Sequence, residues 1–209
     1  TINRVCHYLT DCGVKTGDSI AIMANRNDIT VIALMSCLKF GARFVMLTDI
    51  TPPKKLSQQL HVAQPDAILF TDGNITVSQT VTEYSVASKI PGIDVSAVIE
   101  STEAYPETFD GPVISAEQTA YIAFTSGTVG EPKGVIGNQR ALSQFLPWTI
   151  KTFSLSSKDN YGMLSGLSHD PTQRGVFTAL STGAQLSIPE SITDPKALGD
   201  WLINNNIST

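Results

Sequence analysis

The stretch Ser19–Leu47, SIAIMANRNDITVIALMSCLKFGARFVML, decides the fold class. Ser19–Ala24 is a short apolar run bounded by polar residues, the pattern of a strand buried on both faces. Asp28–Phe40 follows with a longer apolar pattern; Asp28 reads as its cap and Gly41 as its stop. Arg43–Leu47 is a second short apolar run. Two strands joined by a helix cannot form a tight hairpin. They pair in parallel, with the helix covering one face of the sheet.

The same alternation continues outward. Strands are predicted at Ala67–Thr71, Val95–Ile99, Thr119–Thr125, Gly134–Ile136, Tyr161–Leu164 and Gln185–Ile188. Helices are predicted at Pro53–Ala63, Gln139–Phe153 and Gln173–Thr182, with Pro147 expected to kink the second of these or to begin a new turn. The class is α/β, and no internal repeat is visible. Residues 101–117 carry Pro106, Gly111, Pro112 and four acids with little periodicity, and read as a linker or surface loop. They either separate subdomains at 1–100 and 118–209 or form one excursion from a single layered domain.

Both ends run inside patterned sequence. Ile2, Val5, Cys6 and Leu9 share one helix face from the first residues onward. Thr193 or Asp194 with Pro195 opens a late helix striped by Ala197, Leu198, Trp201 and Leu202, and Ile207–Thr209 resembles the start of a strand. The expectation is a piece of a longer protein, truncated at both ends.

Composition narrows the class. The 209 residues are 42% hydrophobic and 16% charged, enough apolar material for a sizeable core. A net charge of −5 argues against a nucleic-acid binder, because phosphate neutralisation needs a basic surface. No apolar run has the length of a membrane span, and no secretory leader is visible. Three cysteines, Cys6, Cys12 and Cys37, lack CxxC spacing, which disfavours a disulfide framework or a structural zinc site and fits a reducing, cytoplasmic setting. Two glycosylation sequons, at Asn74 and Asn206, read as chance matches in such a chain.

The most distinctive chemistry lies in Tyr121–Val135, YIAFTSGTVGEPKGV. An apolar strand runs into hydroxyls and glycines, then a lysine, then another apolar run. Gly127 and Gly130 let the backbone approach a ligand closely, and successive N–H groups in such a turn form an anion nest. Thr125, Ser126 and Thr128 add hydroxyl donors and Lys133 a mobile positive charge, the groups a polyphosphate requires. A plain hairpin turn with an exposed lysine is the alternative. The loop is not a Walker A motif, since Pro132 stands where that pattern needs Gly and Gly134 where it needs Ser or Thr.

These residues resemble the AMP-binding signature of the acyl-adenylate-forming enzymes, [ST]SG[ST]TGxPKG: positions 125–134 match it except at Val129, where Thr is usual. Leu38–Leu47 is similar to the LKAGxAYVPLD segment of amino-acid adenylation domains, departing at Met46 and, two residues on, at Thr48. A third segment, SGLSHDPTQR at Ser165–Arg174, looks like the SG-x-x-HDP-x-x-R string of fungal α-aminoadipate reductases. Asp170 falls where adenylation domains carry the Asp that pairs with a substrate ammonium. His169 replaces the aromatic of that motif, and Pro171 and Arg174 fall at pocket-lining positions. The bland reading is a helix cap at Asp170 and an i,i+4 ion pair with Arg174.

The resemblance implies part of the large N-terminal domain of an adenylate-forming enzyme, with layered sheets and helices on both faces. It implies ATP and Mg²⁺ as cofactors, phosphates held by Thr125, Ser126, Gly127, Thr128, Gly130 and Lys133, and a Mg²⁺ contact at Thr128. His169, Asp170, Pro171 and Arg174 would bind the substrate, an amino acid (2-aminoadipate is the candidate) or another carboxylic acid. The acyl group would pass to phosphopantetheine on a carrier-protein domain. The family's adenine, ribose and hinge segments and its catalytic lysine do not occur in this sequence, so no catalytic residue is assigned within it, and the 209 residues alone are not expected to complete adenylation. Rival readings are an acyl-CoA or aryl-acid ligase of the same superfamily and a non-catalytic nucleotide-binding remnant.

Overall fold

The computed structural model describes residues 1–73, 78–101, 105–125 and 131–209. Six strands form one sheet: β1 (Ser19–Met23), β2 (Arg43–Leu47), β3 (Ala67–Phe70), β4 (Gly92–Asp94), β5 (Thr119–Thr125) and β6 (Lys133–Asn138). Their order is β4-β3-β1-β2-β5-β6, parallel throughout except for β6, which runs antiparallel to β5 at the edge. Because β2 pairs with β5, the strands before and after residues 101–117 belong to one sheet.

Side-chain alternation along the strands builds two cores. Ile20, Ile22, Phe44, Met46 and Leu69 face α1 (Ile2–Asp11), α2 (Asp28–Phe40) and α5 (Val95–Ser101). Ala21, Met23, Val45, Leu47, Ile68 and Phe70 face α3 (Pro53–Ala63) and α4 (Gln79–Ser88). All five residues of β1 are buried, as expected of a central strand covered on both faces.

Three local expectations are corrected. Val95–Ile99, expected as a strand, is the start of α5: the Asp94 carboxylate accepts from Ser96 N at 2.9 Å and Ala97 N at 3.3 Å, starting a helix from a short run whose Val95, Val98 and Ile99 also suit a strand. The side-chain cap of α2 is Asn27, whose Oδ1 accepts from Thr30 N at 2.9 Å, and Asp28 is the first helical residue. The helix expected from Gln173 begins at Asp170. Gly41 ends α2 in the left-handed region at φ 77°, and a Cβ there would meet Ile114 at 2.7 Å. That contact belongs to the segment before β5, which lies over α1 and α2: His7 Nε2 is 2.8 Å from Thr108 O, and Phe109 stacks on Phe40.

The rest of the chain forms a second layer. α6 (Gln139–Phe153) follows β6 and is continuous through Pro147. Then β7 (Asn160–Gly162), α7 (Asp170–Thr182) and β8 (Gln185–Ser187) make a parallel β-α-β unit, and α8 (Pro195–Asn204) follows. The C-terminal residues lie along β7, with Ser208 N donating to Asn160 O at 2.9 Å and Gly162 N to Thr209 O at 3.0 Å. α7 joins the layers: Val176 and Phe177 enter the main core, and the Phe177 ring meets Phe44 edge-on at 6.3 Å. Among the described residues no helix is long and apolar enough to cross a membrane.

Candidate functional site

Ligands of open α/β sheets bind beyond the carboxyl ends of the parallel strands. β5 delivers Thr125 to that edge, and the antiparallel register sets Thr125 directly opposite Lys133 on β6. The two ends of the 126–132 loop are thereby pinned together. Thr125 and Lys133 are exposed, and Pro132 between loop and strand is buried. Ser126, Gly127, Thr128, Val129 and Gly130 lie outside the described residues. The antiparallel strand pair with an exposed lysine is thus present, and its register sets a cation and a hydroxyl side by side at the carboxyl edge of the sheet.

α7 begins at the same edge. His169 is its N-cap, with Asp170 and Pro171 as the first helical residues. The turn before it is held by two bonds to one carbonyl: His169 N donates to Gly166 O at 2.9 Å and Thr172 Oγ1 to the same oxygen at 2.8 Å. His169 is exposed. His169, Asp170 and Gln173 face a crevice of about 10 Å³ shared with Met46 at the end of β2 and with Ile122 and Ala123 of β5. Ala123 stands two residues before Thr125, about 7 Å along the strand. The root of the glycine-rich loop and the start of α7 therefore lie on neighbouring ground.

Asp170 is already engaged. Its Oδ1 accepts from Gln173 Nε2 at 2.7 Å, and its Oδ2 pairs with the Arg174 guanidinium one turn on. Arg174 also lies 4.9 Å from the centre of the Phe145 ring on α6. Tyr121 of β5 reaches the same pair. Burial first, then the Asp170 carboxylate beside it, raise the Tyr121 phenol above its usual value, and the Arg174 charge opposes this. The Tyr121 ring fits only because Gly137 stands opposite it: a Cβ at Gly137 would come 2.2 Å from Tyr121 Cζ. Neither Tyr121 nor Gly137 was singled out from sequence: a glycine inside a strand signals a close approach, but the predicted strand Gly134–Ile136 stops one residue short of Gly137.

The remaining two predicted residues line a different space. Pro171 and Arg174 border a cavity of about 690 Å³ between α6, α7 and the end of β7, with Phe145, Thr149, Tyr161 and Ser165 among its walls. That volume suits a small organic molecule. The four predicted substrate residues thus divide: Pro171 and Arg174 at the cavity, His169 and Asp170 at the crevice, with the Asp170–Arg174 ion pair as the link.

A family model described as AMP-binding enzyme matches residues 1–208. The chain belongs to this AMP-binding enzyme family. Within the family it is 33% identical, over 96% of its length, to the L-2-aminoadipate reductase large subunit of Candida glabrata, of which it spans 16%. It is 27% identical over 99% of its length to a dimodular nonribosomal peptide synthase of Bacillus subtilis, spanning 9% of that protein. Among solved structures it resembles the o-succinylbenzoate CoA synthetase of Bacillus subtilis bound to its acyl-adenylate, with a TM-score of 0.82 at 18% identity over all of this chain and 52% of the other. The helix-flanked, mostly parallel sheet is that of the N-terminal part of adenylate-forming enzymes.

Proposed function

We propose that this chain forms the ATP- and acid-binding part of an enzyme that activates a carboxylic acid, an amino acid with 2-aminoadipate as candidate, as its acyl-adenylate. The carboxylate oxygen would attack the α-phosphorus of ATP, the bond to the bridging oxygen would break, and pyrophosphate would leave. A carrier-domain phosphopantetheine thiol would then attack the acyl carbon, giving a thioester, AMP and a proton. The observation that carries the reading is the register that sets Thr125 opposite Lys133 two residues from the Asp170 crevice.

In this reading Lys133, Thr125 and the loop residues Ser126, Gly127, Thr128 and Gly130 hold the phosphates and draw charge off the departing pyrophosphate. Mg²⁺ would supply further charge neutralisation, with Thr128 as its proposed protein contact. Asp170 would take the substrate ammonium and Arg174 a second carboxylate, each by a charge-assisted bond. Both groups are present and already face one another, so a zwitterionic substrate with a distal acid would exchange one ion pair for two. A second reading rests on the same pair. With Asp170 fully engaged by Arg174 and Gln173, an acid lacking an ammonium group could be activated beside it, as in acyl-CoA or aryl-acid ligases.

Substrate-dependent ATP–pyrophosphate exchange by the full-length protein tests the proposal. Exchange with 2-aminoadipate or another amino acid supports the first reading. Exchange with simple acids only favours the second.

A further inference from the structure

Arg26 sits in the turn between β1 and α2, far in sequence from the residues of the candidate site. Its guanidinium crosses to the second layer, where one terminal nitrogen donates to Met163 O and the other to Ser165 O, the latter at 2.7 Å. These carbonyls flank Leu164, and Leu164 and Ser165 are walls of the 690 Å³ cavity. The chain then runs through Gly166, whose carbonyl anchors the first turn of α7, into Asp170.

The turn that carries Arg26 is rigidly braced. Asn25 N donates to Thr30 Oγ1 at 3.0 Å and to Thr71 Oγ1 at 3.1 Å, and Thr71 Oγ1 donates to Met23 O at 2.8 Å. The Thr30 and Thr71 hydroxyls are fully buried and 2.9 Å apart, and Asn27 Nδ2 donates to Thr71 O. This network also fills the carboxyl ends of β1 and β3, where Met23, Ala24 and Asn25 leave a space of only about 10 Å³. The strand ends that commonly take a ligand in open sheets are occupied here by side chains that fix one arginine.

Arg26 is half-buried, and none of the ion pairs among the described residues includes it. Burial lowers its pKa from the usual arginine value, and the two carbonyl oxygens are the acceptors that meet this partly desolvated charge. A planar fork suits this task and a lysine does not, because two parallel acceptors need two donors at fixed spacing.

We propose that Arg26 is a positioning residue for the acid-binding site: it clamps residues 163–165 so that the cavity wall and the first turn of α7, with Asp170 and Arg174, stand in register with the sheet edge. The inference rests on the functional reading above for the identity of the site, though the clamp itself does not.

The test compares the full-length protein with Arg26→Met, which keeps much of the apolar stem, and Arg26→Lys. Hydrogen exchange is followed for peptides spanning residues 160–175 and, as a control, β1 and β2. Steady-state exchange kinetics are measured with ATP and the preferred acid varied separately. The clamp predicts faster amide exchange confined to 160–175 in Arg26→Met. It also predicts an acid KM raised about 10-fold or more with the ATP KM within about 2-fold, because misplacing a positioning wall is costly. Arg26→Lys should fall between. Unchanged protection at 160–175 in Arg26→Met overturns the proposal. So does a rise of both KM values together with loss of protection across the whole sheet, which would mark Arg26 as general scaffolding. If the unmutated protein uses no acid at all, the functional reading fails separately and amide exchange alone decides the clamp.

Discussion

The Tyr121 ring occupies the space that a side chain at Gly137 would fill, directly across the β5–β6 ladder, at 2.2 Å from the position of a Cβ. That crossing lets a buried phenol stand beside the Asp170–Arg174 pair. Gly137→Ala should therefore drive the ring aside and cost about 1–3 kcal/mol, the usual range for overpacking. The coupling is specific. In a double-mutant cycle with Tyr121→Ala, urea titrations should show the two losses to be clearly less than additive, and strict additivity would mean that the ring and the glycine do not share this space.

Asp170 and Arg174 are partly exposed, at 25% and 45% of their side-chain surfaces, and lie one helical turn apart. Such a pair contributes little to folding, about 0.3–0.5 kcal/mol. Asp170→Asn should thus leave the melting temperature nearly unchanged while lowering amino-acid-dependent exchange about 100-fold, the scale of losing a charge-assisted contact in a closed site. Arg174→Met should release Asp170 and shift preference from acidic towards neutral amino acids. Equal losses for all acids in both variants would place the pair outside substrate recognition.

Lys133 is exposed at the mouth of the hairpin, so Lys133→Ala should change stability by no more than about 0.5 kcal/mol. Pyrophosphate exchange should nevertheless fall about 10-fold or more, because in the proposed function this cation neutralises the departing pyrophosphate. Val129→Thr, which restores the hydroxyl usual in the signature, should lower the ATP KM. An unchanged value would show that position to be indifferent to ATP.

Most of the main sheet was legible in the sequence, and the exceptions have physical causes. β1, α2 and β2 carry unambiguous lengths, and Gly41 marks their boundary. Val95–Ile99 does not, since five residues of which three are β-branched satisfy strand and helix alike until Asp94 supplies the cap. α4 was missed because its Thr- and Ser-rich sequence buries only Val81. At the site, the Asp170–Arg174 pairing follows from i,i+4 spacing alone. The cavity beside it does not, because Phe145 and Thr149 come from α6 and Tyr161 from β7, elements whose packing against α7 leaves no mark in the local sequence. Arg26 was equally invisible: its partners are two backbone carbonyls, which leave no mark on side-chain identity.

The cysteines give a prediction for alkaline pH. Burial raises the Cys6 thiol to about 12, with the Lys39 charge opposing, and burial also raises Cys37. Both are acids whose folded values exceed the unfolded value of about 8.5. Their stabilising contribution is complete below that value and is lost as pH rises from it towards about 12, because the unfolded chain sheds the protons first. Stability from urea titrations should therefore decline between pH 8 and 10.5, with a shallower slope in Cys6→Ala. A flat profile would contradict burial of these thiols.

The most direct test is ATP–pyrophosphate exchange by the folded full-length protein against a panel of 2-aminoadipate, neutral amino acids and aryl acids. The account predicts exchange with one amino acid, lowered about 10-fold or more by Lys133→Ala and about 100-fold by Asp170→Asn. No exchange with any acid at saturating ATP would contradict it.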